Sequence, residues 1–416
     1  MKVLLISHGS TGDIFPLIRF GVALVEKRHT VTFATARLFK EDIQQAGLDY
    51  FEVPPEWERN RYADFMQALN RITHPLFQLI KIYKGALPFL EELLTKLDSI
   101  IPSHDVVVSS YMYPHYRGLA RKHGKPFLVF YFCNNFIPSA EFPPEPLPCL
   151  IGFPKVVKQA WNLFGWWVSS KTMNFLQQFI LGKTLAKCGV PLSKDWLYEP
   201  ADLSLVSVSE SLMGNREFMN DSFKLTGYLR WQAPVNNEIE NLLKDFTNGE
   251  KVPVLNFGSV VFDNSRQMLD RFISNWPIGK KIIIQSGWVG FSQDTVSSNI
   301  LLLEKVISHD QLFSFASCVI HHGGAGTTAS VLHNGIPHVV VPHIADQHFF
   351  ASEVKRLGVG LSLSKNDWPE TLRRAVYKVE KCDVFNSNAL RIQVKLRDED
   401  GAKRAVNNLE RLVHRE

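Results

Sequence analysis

Cysteine is scarce in this 416-residue chain, and the little there is does not pair. Cys133, Cys149, Cys188, Cys318 and Cys382 are scattered, odd in number and free of any C-x-x-C spacing. That argues against a disulfide framework or a zinc site and predicts a reducing compartment. Long hydrophobic runs are missing as well: no uncharged apolar stretch reaches about 18 residues, so no segment is expected to span a bilayer. The apolar run at residues 3–7 falls short of the roughly 7–15 residues of a secretory leader and reads as a strand. A cytosolic protein is the expectation, with peripheral contact at the inner face of a membrane left open. Charge of one sign is also lacking. The 46 basic and 41 acidic side chains leave a net charge of +5, without the dense basic stripe of a nucleic-acid binder. Hydrophobic residues at 45% exclude a disordered chain.

What is present alternates. Residues 3–7, 30–35, 49–53, 104–109 and 126–132 read as strands, with helix-period segments at 15–27, 38–46 and 116–123 between them. Segments 204–209 and 224–227 could close that sheet. A second series starts after the Asn-rich stretch 234–240, with candidate strands at 252–257, 281–285, 300–303, 318–320 and 339–341. Strands alternating with helices predict parallel sheets covered on both faces. The expected architecture is therefore α/β, with two doubly wound, Rossmann-like domains at 1–228 and 229–390. A charged, helix-like stretch at 390–413 falls mostly in a terminal segment, 391–416, that could pack back on the first domain.

Residues 136–200 fit neither series. They open with a proline-rich run at 142–148, unsuited to a helix or a central strand. Residues 151–194 then carry six lysines, no acidic residue and seven aromatics, among them Trp161, Trp166 and Trp167. They read as aromatic-lined helices inserted into the first domain. These are either ordinary core helices with solvated lysines, or an apolar acceptor pocket, or a surface that rests on anionic membranes.

The strongest local signal is Ile320-His321-His322-Gly323-Gly324-Ala325-Gly326-Thr327-Thr328, at a strand end and opening a helix. Glycines admit a close ligand, and free N–H groups at a helix start favour an anion. Hydroxyls and an imidazole complete a cradle for a phosphate or diphosphate; a tight turn holding no ligand is the plain alternative. No G-x-x-x-x-G-K-[ST] loop exists. Residues 324–329 satisfy G-x-G-x-x-A with Asp346 about 20 residues on, as a dinucleotide fold would, but Asp346 falls beyond the next strand instead of at its tip. Asp346-Gln347 follows a strand ending in Pro342 and suits sugar hydroxyls, unless Asp346 only caps a helix. The first strand–helix loop, His8-Gly9-Ser10-Thr11-Gly12-Asp13-Ile14-Phe15-Pro16, holds two candidate bases, Asp13 and His8. Asp13 could instead be a cap on a helix that Pro16 helps to start.

Taken together, GSTGDIFP near the start, Phe257-Gly258-Ser259, Ser286-Gly287-Trp288, His309-Asp310-Gln311-Leu312-Phe313, HHGGAGTT and PHIADQ make the chain resemble a family 1 glycosyltransferase of the GT-B type. The likeness is to the bacterial glycopeptide and sterol glucosyltransferase-like branch. It implies two Rossmann-like domains facing a cleft and inverting transfer of a sugar, glucose foremost, from a UDP or dTDP donor to a hydroxyl. Asp13 would be the general base, with His8 its understudy. Ser259, His322, Gly324, Gly326 and Thr327 would hold the donor diphosphate. Trp288, Val306 and Ile307 would read the nucleobase, and Asp346 and Gln347 the sugar. The aromatic insert would form the acceptor wall, with Phe132, Phe136 and Trp161, and its apolar character points to a lipid, sterol, polyketide or phenolic acceptor.

The resemblance implies no metal requirement and no cofactor beyond the donor. Asp398-Glu399-Asp400 is formally D-x-D but sits among Lys395, Arg397, Lys403 and Arg404, which reads as solvated surface. Other classes remain to be discriminated: a sugar-nucleotide epimerase, a non-catalytic nucleotide-sugar or lipid-binding module, and an NAD-dependent dehydrogenase.

Overall fold

The computed structural model describes residues 1–416 except 73, 114, 193–194, 196, 200, 214–222, 232–234, 259–264, 286–297, 304–306, 345 and 415–416. The chain divides into two compact units. The first comprises Met1–Tyr62, Ile72–Leu229 and Asp400–Glu416; the second comprises Ala63–Arg71 and Arg230–Glu399.

The first unit is built on seven strands: β1 (Lys2–Ile6), β2 (Thr30–Thr35), β3 (Asp49–Glu52), β4 (Val106–Ser110), β5 (Phe127–Tyr131), β6 (Leu203–Val206) and β7 (Phe223–Leu225). Their spatial order is β3-β2-β1-β4-β5-β6-β7, and every neighbouring pair is parallel. All five residues of β4, and residues 3–6 of β1, are buried, because helices cover both faces of the sheet. The order reverses between β1 and β4. At such a switch point the following loops diverge to opposite faces and leave a crevice at the carboxyl ends of the strands.

The helix Thr11–Glu26 starts a turn earlier than the 15–27 pattern predicts. Ser10 and Asp13 form a reciprocal capping box that nucleates it. Pro16 therefore lies inside the helix and does not start it. Ile14, Leu17, Ile18, Phe20 and Leu24 turn one buried face to the sheet, with Phe20 edge-on to Phe130 at 4.9 Å between ring centres.

The insert holds one 33-residue helix, Lys155–Lys187, in place of several. Pro154 precedes it, Pro191 follows it, and no proline lies between to break it. Its inner side is anchored by Trp166 Nε1, which donates to the Phe142 carbonyl (2.9 Å), and Asn162 Nδ2, which donates to the Ala140 carbonyl (2.9 Å). Among the described residues, no helix is long and apolar enough to cross a membrane.

The second unit carries β8 (Val252–Asn256), β9 (Ile282–Gln285), β10 (Ile300–Leu303), β11 (Ala316–His321), β12 (His338–Val340) and β13 (Gly360–Ser362). The order is β10-β9-β8-β11-β12-β13, again parallel throughout. Its switch point lies between β8 and β11.

The terminal stretch is two helices, not one. Asp383–Arg397 belongs to the second unit and Gly401–Val413 to the first. Asp398-Glu399-Asp400 makes the turn between them, and Asp400 Oδ1 caps the last helix by accepting from the Lys403 N–H at 3.0 Å. A Cβ on Gly401 would lie 2.5 Å from the Tyr228 carbonyl oxygen and 2.6 Å from that of Gly227. Only glycine lets the helix start there.

Candidate functional site

The chemistry-bearing loops fall at the two switch points, and each unit presents its own set of groups. In the first, β1 runs straight into His8-Gly9-Ser10-Thr11-Gly12-Asp13. Asp13 Oδ2 accepts from the Ser10 N–H at 2.9 Å and from the Ser10 hydroxyl at 3.2 Å. Gly9 has φ of +125°, and a Cβ there would sit 2.2 Å from Asp13 Oδ2. Its glycine identity thus serves both the turn and the folded-back carboxylate. Burial pushes the Asp13 carboxyl up to about 6, against the two Ser10 hydrogen bonds that favour its charged form. A carboxylate with that value is suited to accept a proton near neutrality.

His8 lies beside it without sharing its environment. Burial holds its imidazole down at about 4, and neither ring nitrogen has a hydrogen-bond partner. Its ring packs edge-on to Tyr113 at 5.5 Å and tilted on Tyr116 at 6.1 Å. His115, pushed to about 3 by burial and by His8, stacks edge-on against Tyr116 at 4.5 Å. Tyr62 donates its hydroxyl to the Gly9 carbonyl at 2.6 Å. This Tyr/His collar around the Asp13 loop was not expected from the sequence, although Tyr111-Met112-Tyr113-Pro114-His115-Tyr116 directly follows a strand and was there to be read.

Of the residues assigned to an acceptor wall, Phe132 and Phe136 come together around Tyr111, at 6.5 and 4.9 Å between ring centres, beyond the ends of β4 and β5. Trp161 sits apart from them, on the long helix, with its indole donating to the Pro148 carbonyl at 3.0 Å.

In the second unit the ends of β9, β8 and β11 bring Gln285, Asn256 and His321 side by side. Asn256 Nδ2 donates to Gln285 Oε1 at 3.0 Å, and Asn256 Oδ1 accepts from the Gly258 N–H at 2.7 Å, which shapes the loop after β8. The two histidines of HHGGAGTT have separate tasks. His321 is fully buried. Its Nδ1 accepts from the Gly323 N–H at 3.1 Å, so the proton sits on Nε2 and is donated to His338 Nδ1 at 2.9 Å. It is a brace for the turn. His322 is the half-buried one: its Nδ1 has no partner, and its Nε2 lies where a Cβ on Gly324 would come within 2.3 Å. Burial and the neighbouring imidazoles keep its pKa well below the usual histidine range, so it offers a neutral ring N–H.

Gly324 is the N-cap of the helix Ala325–His333 and supplies no side-chain cap. The first N–H groups of that helix have no side-chain cap, an arrangement that favours an anion. Gly326 stands over open space, whereas Thr327 is buried and Thr328 has a fully buried hydroxyl without a partner. A Cβ on Gly323, at φ +91°, would strike Val340 at 2.8 Å.

Asp346 opens the helix Asp346–Arg356. Gln347 spends its amide oxygen locally, accepting from the His343 and Ile344 N–H groups at 2.8 and 3.2 Å. That leaves its NH₂ as the donor end. Ile307 is buried in the core of the second unit; Ser259, Trp288 and Val306 lie outside the described residues. Among the described residues, no group of three or more His, Cys, Asp or Glu side chains is placed to hold a metal ion.

Comparison with known proteins finds a family model near either end of the chain. Residues 3–94 match the glycosyltransferase family 28 N-terminal domain, and residues 285–411 match the erythromycin biosynthesis protein CIII-like C-terminal domain. The chain is 24% identical to a sterol 3-beta-glucosyltransferase of Candida albicans, over 98% of its own length and 27% of that protein. It is 25% identical to the UDP-sugar-dependent glycosyltransferase 52 of Dictyostelium discoideum, over 99% of its length and 26% of that protein. It therefore spans about a quarter to a third of the curated relatives it matches. Among solved structures, the glycotransferase of kitacinnamycin superposes with a TM-score of 0.72 at 17% identity, covering 99% of this chain and 98% of that one. The glycosyltransferase VinC in complex with dTDP gives 0.68 at 16%, with full coverage of both. With two parallel doubly wound sheets and these matches at either end, the chain belongs to the family 1 glycosyltransferases of the GT-B fold.

Proposed function

We propose that the chain transfers a sugar, glucose foremost, from a uridine diphosphate donor to a hydroxyl of an apolar acceptor, with inversion at the anomeric carbon. The observation that carries this is the Asp13 carboxylate, raised to about 6 in a loop at the switch point of the first sheet. Asp13 takes the proton of the acceptor hydroxyl as its oxygen attacks the anomeric carbon and the bond to the diphosphate oxygen breaks. General-base assistance of this kind is worth about 10²–10⁴-fold. His8, with a pKa near 4, is much the weaker base at neutral pH.

The leaving diphosphate gathers negative charge. The uncapped start of Ala325–His333 supplies N–H groups and the positive end of the helix dipole, and His322 adds a neutral N–H. The Gln347 amide and Asp346 would hold donor-sugar hydroxyls. Phe132, Phe136 and Tyr111 offer an apolar wall for the acceptor. The UDP-glucose assignment draws support from relatives named sterol 3-beta-glucosyltransferase and UDP-sugar-dependent glycosyltransferase; VinC with dTDP keeps thymidine as the competing base.

The test is thermal shift against UDP, UDP-glucose, dTDP, dTDP-glucose and NAD, followed by turnover with apolar and hydrophilic alcohols. A selective rise of several degrees with a uridine nucleotide, and faster turnover of the apolar alcohols, is the expected result. A shift with NAD alone, or sugar-nucleotide turnover without any acceptor, overturns the proposal.

A further inference from the structure

The helix Lys155–Lys187, about 50 Å long at 1.5 Å per residue, turns one apolar side to solvent over most of its length. Val156, Phe164, Trp167, Phe175 and Phe179 are each more than half exposed. Phe164 stacks on Trp167 at 6.1 Å and Phe175 on Phe179 at 5.9 Å, so these rings cluster with one another instead of entering a core. Ile151, on the loop leading into the helix, is 89% exposed. Trp166, Gln177, Leu181 and Leu185 of the same helix are buried. The helix is held in place, and the apolar face is what remains uncovered. A face of this extent on a protein surface marks an interaction site.

The charge carried by this segment itself has one sign. Residues 151–194 contain six lysines and no acidic residue. Lys171 and Lys187 reach out to Asp195 (3.2 Å) and Glu91 (2.6 Å). Lys155, Lys158 and Lys183 have no ion pair in the described structure. The helix is not apolar enough to cross a bilayer. Exposed aromatics flanked by unpaired lysines are the composition of a helix lying in the headgroup plane of an anionic membrane: rings enter the acyl boundary while ammonium groups meet phosphates. We propose that this face docks the protein on an anionic lipid bilayer. Docking is a property of the first unit alone and holds whether or not the transfer reaction is as proposed.

The experiment is flotation of the full chain, without donor or acceptor, on vesicles of phosphatidylcholine alone and of phosphatidylcholine with an equal part of phosphatidylglycerol. Binding to the anionic vesicles only, weakened by high salt, is expected. The triple variant Trp167→Ser, Phe175→Ser, Phe179→Ser changes solvent-facing positions and should abolish flotation while its circular dichroism and thermal midpoint stay as in the parent. Lys155→Gln and Lys183→Gln should each weaken partition about fivefold. Equal binding to both vesicle types, or none to either, overturns the proposal. So does a parent chain that sediments as a dimer and becomes monomeric in the triple variant, because the face would then be a contact between copies.

Discussion

Asp13 reaches back three residues to accept both the N–H and the hydroxyl of Ser10, at 2.9 and 3.2 Å. The pair is at once a helix cap and a control on the base. The two hydrogen bonds lower the Asp13 pKa, burial raises it, and burial wins.

Ser10→Ala removes one of those bonds. The acid limb of kcat/KM should move to higher pH, because the charged carboxylate loses a donor, and the missing cap should cost about 1 kcal/mol of stability. A pH–rate profile beside a urea unfolding curve reads both. A limb that stays put would mean that Asp13 does not titrate in catalysis.

Acid should destabilise the protein steeply. Burial holds His8, His309 and His343 near 4 and His115, His333 and His338 near 3. Groups with folded values below the unfolded 6.5 contribute stability that is present above pH 6.5 and lost as pH falls toward 4. Asp13 acts oppositely: raised from 3.8, it contributes below that value and loses the contribution as pH rises through about 6. Six histidines outweigh one carboxylate, so unfolding free energy should fall from pH 7 to pH 5 with an uptake of more than one proton. Urea unfolding at a series of pH values gives that slope.

Gly324→Ala places a methyl group where His322 Nε2 stands. The imidazole must swing away from the helix start, and affinity for the donor should drop by tenfold or more while the thermal midpoint of the free protein changes little. His322→Ala should give a similar loss of affinity, and the double variant no further loss, since both act through one contact. Isothermal titration with UDP measures all three.

Gly401→Ala tests how the last helix is tied to the first unit. Its methyl group would meet two carbonyl oxygens at 2.5–2.6 Å, so the start of Gly401–Val413 must shift, at about 1–3 kcal/mol. The contact between His29 and Glu410, 3.1 Å in the parent, should loosen with it. Faster amide exchange in Gly401–Val413 with unchanged UDP affinity is the expected signature.

How much of this was legible in sequence follows from how local each signal is. The loops at 8–13 and 321–327 were readable because glycine, a capping pair and a helix start lie within a few residues of one another. The collar of Tyr62, Tyr113, His115 and Tyr116 was missed because it exists only once β4 lies next to β1, a pairing of residues about 100 positions apart. The split between His321 and His322 came from the family resemblance alone: by their residues, two adjacent imidazoles look alike until the strand's alternation buries one and the turn exposes the other. The insert's composition was plain, but its single helix was not, since aromatic spacing alone does not say where a helix ends. Pro16 misled, because a proline suits a helix start and here the capping box had already begun one.

The measurement that bears most directly on the account is made on Asp13→Asn: UDP-glucose affinity by calorimetry, together with turnover on an apolar alcohol acceptor. Donor affinity should stay within a factor of two of the parent and turnover should fall by about 10²–10⁴-fold, with the limb near pH 6 gone. Turnover near the parent's, with that limb intact, would contradict this and take the base away from Asp13.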